Sequence, residues 1–88
     1  MKIQLKLYGS SKILSNKDTL IVKLPNNSNI ENLRGALNNI INEKNLKSNL
    51  NNLSKTAAFF SEKDEVINDN YKLNDKEFIS IIPPIGGG

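Results

Sequence analysis

Apolar and polar residues alternate from Ile3 to Tyr8. Ile3, Leu5 and Leu7 fall on one face and Lys2, Gln4, Lys6 and Tyr8 on the other, the period of a half-buried strand. Gly9, Ser10 and Ser11 interrupt it, and Lys12 to Leu14 reads as a short turn packing Ile13 and Leu14 inward. A second strand runs from Thr19 to Leu24, with Leu20, Val22 and Leu24 on one face, stopped by Pro25 and a polar run at 26–29. The period then changes. Ile30, Leu33, Leu37, Ile40 and Ile41 recur at spacings of three and four, which predicts an amphipathic helix ending near Glu43 or Lys44. Ser28 followed by Glu31 reads as its capping box, the hydroxyl accepting from the N–H three residues on. Gly35 inside the helix costs about 1 kcal/mol relative to alanine, so it marks either a close approach of the sheet or simple tolerance.

Leu46, Leu50 and Leu53 lie in an Asn-rich segment read as a loop or frayed turn. Thr56 to Phe60 predicts a short strand buried on both sides, and Val66-Ile67 a small strand or edge between polar turns. Tyr71 and Leu73 are expected to pack before a turn at Asn74-Asp75. Glu77 to Ile82 is the most hydrophobic strand, with Ile79 and Ile81 facing one way and Phe78 and Ile82 the other. A strand apolar on both faces belongs at the centre of a sheet. Gln4 and Lys6 on the outer face of the first strand argue that this side is not fully covered within the monomer. Either an apolar patch there docks a partner, or both faces are internal core. The order of elements predicts an α+β domain, residues 1–82, with one helix across a mixed sheet, followed by a tail at 83–88.

Composition narrows the chemistry. The 88 residues carry a net charge of +3, and the lysines are dispersed rather than interleaved with aromatics, so no nucleic-acid partner is expected. No apolar run has the length of a membrane span and no leader is visible, so a cytoplasmic protein starting at or near Met1 and without a membrane partner is expected. There is no Cys and no His, which removes the usual nucleophile, the usual acid–base group and the usual zinc ligands. Autonomous catalysis and a metal site are not expected. The abundance of Asn and Lys reads as compositional bias.

The last six residues, Pro83-Pro84-Ile85-Gly86-Gly87-Gly88, concentrate the functional signal. Three glycines gain no packing energy and are costly to order. They make sense if the reactive atom is the Gly88 carboxylate and Gly86 and Gly87 must thread a channel too narrow for a Cβ. Pro83 and Pro84 favour an extended stem that leads the carboxylate about 20 Å from the domain. The alternative is a disordered terminus or a linker scar.

This ending, with Ile81-Ile82 before it, resembles that of the ubiquitin-like sulfur carriers, in particular the small subunits of molybdopterin synthase. Glu31-Asn32-Leu33-Arg34 resembles the family's Glu-x-Leu-Arg at the helix start. Asp75-Lys76-Glu77-Phe78 departs from the Asp-Gly-Asp-Glu of many members, losing the turn glycine and one acid. The resemblance implies a β-grasp fold and a defined role. An adenylyltransferase like the ubiquitin-activating enzymes would use ATP to adenylate Gly88, and a sulfur donor such as a cysteine desulfurase or rhodanese would leave a thiocarboxylate. The tail would then enter the large subunit of molybdopterin synthase, which supplies the catalytic groups, and deliver sulfur for the dithiolene. No stably bound cofactor is implied. Tyr8, Lys12, Phe78, Ile82 and Ile85 would contact the partner, in a heterotetramer of two small subunits on a large-subunit dimer. Carriers serving thiamine or tRNA thiolation, a ubiquitin-like protein modifier and a plain β-grasp binding module are the alternatives.

Overall fold

The computed structural model describes residues 1–50 and 52–84. The elements are β1 (Lys2–Leu7), a 3-10 helix (Gly9–Leu14), β2 (Thr19–Lys23), α1 (Ile30–Glu43), α2 (Leu53–Thr56), β3 (Ala58–Phe60), β4 (Val66–Ile67) and β5 (Phe78–Ile82). They form one mixed sheet in the order β2-β1-β5-β3-β4. β5 is therefore central, as its two apolar faces predict. It runs parallel to β1 and antiparallel to β3.

One face of the sheet makes the core. Ile3, Leu5 and Leu7 of β1, Val22, Phe59, Ile79 and Ile81 pack with Ile30, Leu33, Leu37 and Ile41 of α1, all essentially solvent-free. Each such side chain stabilises the fold by roughly 1.5–3 kcal/mol relative to exposure. Ile40 sits half-buried at the rim of the stripe. Gly35 faces open space, with nothing within 4 Å of where a Cβ would lie, so it is tolerated rather than required.

Several local expectations are corrected. The cap of α1 is Asn29, not Ser28: Asn29 accepts from the Asn32 N–H and Asn32 accepts from the Asn29 N–H, both at 2.9 Å. The Ser28 hydroxyl instead donates to the Pro25 carbonyl at 2.7 Å, closing the preceding turn, and Glu31 stays exposed. Ile13 is exposed while Leu14 is buried, because the 3-10 helix turns only one of two adjacent residues inward. β3 begins at Ala58 rather than Thr56, since Leu53–Thr56 coil into α2 and the Ala57 N–H closes on the Leu53 carbonyl. Its faces are also unequal: Phe59 is buried, while Ala58 and Phe60 are half-buried.

Candidate functional site

The site is built where β1 and β5 end together. Leu7 is paired with Ile81, the last pair of the parallel ladder, so Tyr8 and Ile82 follow it side by side. Ile82 closes β5, Pro83 is half-buried and Pro84 is exposed. The stem thus leaves from the middle of the sheet. Ile85, Gly86, Gly87 and Gly88 lie outside the described residues.

The second part is the sheet face turned away from α1 and α2. Here β5 presents Phe78, Ser80 and Ile82, all half-buried. The register sets Gln4 beside Phe78, Lys6 and Phe60 on either side of Ser80, and Ala58 beside Ile82. Val66 of β4 continues the row from Phe60, and Ile21 of β2 lies next to Gln4. Val66 is 73% exposed and Ile21 50%. Tyr8 stands at the stem end of this face, exposed, with the Lys6 ammonium 5.3 Å from its ring centroid. Such a contact is worth about 0.5–1 kcal/mol at an exposed site and holds the ring in place.

Of the expected contact residues, the structure brings Tyr8, Phe78 and Ile82 onto this face, Tyr8 and Ile82 at its Pro83 end and Phe78 at the opposite end of β5. Lys12 is exposed on the 3-10 helix beside it. Phe60, Ala58, Val66 and Ile21 complete the apolar surface and were not anticipated. The Phe59-Phe60 pair carried the signal, since adjacent strand residues must point to opposite faces.

The acidic turn before β5 is occupied internally. Asp75 accepts from the Lys2 N–H at 2.8 Å, which holds its carboxyl below the usual range, with help from the N-terminal ammonium and Lys76. Glu77 accepts from the Asn74 N–H at 2.8 Å and from the Tyr71 hydroxyl at 2.6 Å; the second bond raises the phenol's pKa. The turn lies at Asp75-Lys76, one residue later than expected, and Lys76 takes φ +66, the angle a glycine would adopt there. Among the described residues no group of acidic side chains could hold a metal, and no helix is long and apolar enough to cross a membrane.

Comparison with solved structures settles the fold. SAMP1 from Haloferax volcanii superposes with a TM-score of 0.69 at 12% identity, over the whole of both chains. A chain in the complex of subunits 1 and 2 of molybdopterin-converting factor from Helicobacter pylori 26695 superposes with a TM-score of 0.61 at 24% identity, again over both full chains. The chain has the ubiquitin-like β-grasp fold. The sequence matches no family model and no curated protein. In this β-grasp domain one sheet face grips α1 and the other is open around β5, the strand that leads into the Pro-Pro stem.

Proposed function

We propose that the protein is a sulfur carrier that acts as the small subunit of molybdopterin synthase. The observation that carries this reading is the run Pro83-Pro84-Ile85-Gly86-Gly87-Gly88 directly after the central strand of a β-grasp domain. A carboxylate is a poor electrophile. In the proposed cycle a ubiquitin-activating-type adenylyltransferase joins the Gly88 carboxylate to the α-phosphate of ATP, releasing pyrophosphate. A cysteine persulfide on a desulfurase or rhodanese then attacks the activated carbonyl and AMP leaves, giving an acyl disulfide. A second thiol of the donor enzyme, or a thiol reductant, attacks the donor's sulfur of that S–S bond. The donor leaves as a disulfide and Gly88 as a thiocarboxylate, the nucleophile for building the dithiolene. This chain lacks Cys and His, so the acid–base groups belong to the partners.

The open face supports a docking role for Phe78, Ile82, Phe60 and Tyr8, flanked by Lys6 and Lys12. The Helicobacter pylori protein occurs in a complex of two subunits, which favours a large-subunit partner here. Deleting Gly88 should abolish sulfur transfer and leave the melting temperature unchanged, as a glycine has no side chain to bury. Gly87→Ala should slow activation, because a Cβ enters a space suited to glycine. Conjugates to other proteins that vanish on deleting Gly88 would instead favour a protein modifier.

A further inference from the structure

The β1–β5 ladder ends at the pair Leu7 and Ile81, beyond which β1 turns at Tyr8 while β5 continues one residue to Ile82. The Tyr8 N–H donates to Ser11 Oγ at 3.0 Å, and Ser11 Oγ donates to the Tyr8 carbonyl at 2.6 Å. The Ser11 N–H reaches the same carbonyl at 3.2 Å. Ser11 is completely buried, so its hydroxyl end of this box is shielded from competing water. Between its two ends lies Gly9, with φ +56. A Cβ placed on Gly9 would lie 3.6 Å from Cγ and 3.8 Å from Cδ of Pro83. The corner therefore backs onto the pyrrolidine ring. Pro83 is half-buried and Pro84 exposed, which makes this a contact at the point where the stem leaves the domain.

We propose that the Gly9 corner is the seat of Pro83, and that this contact sets the direction in which the stem leads the terminus away from the sheet. The inference rests on the reading of Gly88 as the activated carboxylate. Proline fixes φ within the stem but not the junction where the stem joins the strand. A stiff stem on a free pivot aims at nothing. Packing the first ring against a corner locked by Ser11 removes that pivot before any partner arrives, lowering the ordering cost of binding. Glycine meets both demands of the seat: it takes the left-handed angle without strain, and it leaves the ring room against the backbone. A methyl would only reach ordinary van der Waals distance, so a bulkier side chain is needed to unseat the ring. Gly9 is thus a positioning residue acting through Pro83.

Gly9→Asn separates the seat from the turn, since Asn tolerates the left-handed angle yet fills the space beside the ring. The test combines NMR of the full chain with adenylation kinetics for wild type, Gly9→Asn, Pro83→Ala and the double variant. In wild type an NOE between the Gly9 Hα and Pro83 ring protons is expected, and it disappears in Gly9→Asn. Each single variant should lower kcat by about tenfold with KM unchanged, because the docking face is intact while the carboxylate is misaimed. The double variant should be no slower than the worse single one, since both remove the same contact. Absence of the wild-type NOE, additive losses of kcat, or full kcat in Gly9→Asn would each overturn the seat. A wild-type chain that is never adenylated counts against the carrier reading alone, and the NOE then decides the seat by itself.

Discussion

Lys76 shows how a single residue can look like a fault and yet fit. A turn position that calls for glycine holds a lysine at φ +66, a conformation costing a non-glycine residue about 1 kcal/mol. Lys76→Gly should therefore stabilise the protein by up to about 1 kcal/mol in denaturant melts, less the entropy gained by the unfolded chain. The asparagines, read from composition as mere bias, have a comparable structural use. Asn27, Asn45 and Asn52 all have positive φ. Asn45 ends α1, with the Leu46 N–H on the Ile41 carbonyl at 2.9 Å and its own N–H on that of Asn42 at 3.1 Å. Composition reveals that Asn is frequent; only the backbone angles reveal where it is useful. Arg34 was visible as part of a short motif, but its partners were not. Its Nη1 donates to the carbonyls of Ala57, Ser54 and Lys55 at 2.8–3.3 Å, and the guanidinium lies 4.8 Å from the Phe59 ring centroid. Arg34→Ala should cost about 2–3 kcal/mol. Arg34 Nε also donates to Asp69 Oδ1 at 3.0 Å. Asp69→Ala should cost less than about 1 kcal/mol, because the Asp69 end of this ion pair is 56% exposed.

At the scale of elements, β1, β2, α1 and β5 were legible because their apolar periods are unbroken and long. The segment from Leu46 to Thr56 was not, since its leucines are spaced for a helix while its asparagines disfavour one. Tertiary packing decides: Leu50 and Leu53 join the core and draw four residues into α2, which shortens β3. The β1–β5 pairing is extended by the turn before β5, with Asp75 on the Lys2 N–H and the Lys76 N–H on the Lys2 carbonyl at 2.7 Å. The folded state depresses the Asp75 pKa, so its contribution is present above the unfolded carboxylate value of about 4 and is lost as pH falls through the folded value. Asp75→Asn should thus melt below wild type at neutral pH, with the gap closing once the pH drops under about 4. A gap independent of pH would show that this contact does not depend on the carboxylate's charge.

At the scale of the whole molecule, the sequence left open whether the second apolar face of β5 was core or surface, because alternation reports sidedness and not what lies opposite. The topology answers it: α1 and α2 gather on one side, leaving Phe78, Phe60 and Ile82 half-covered along the face whose end carries the stem. If the proposed large-subunit partner docks on this face, Phe78→Ala should weaken that binding at least about tenfold by calorimetry, with little change in melting temperature. Val66→Ala, at the far edge, should weaken it less. In the proposed function, domain and tail would divide the labour, one recognising partners and the other carrying the reacting atom. Whether the tail carries sulfur is decided by the intact mass of the chain after incubation with ATP, an activating enzyme and a sulfur donor. Exchange of one oxygen for sulfur, confined to the C-terminal peptide ending at Gly88, is the expected result; an unchanged mass under conditions in which the same enzymes load another carrier would contradict it.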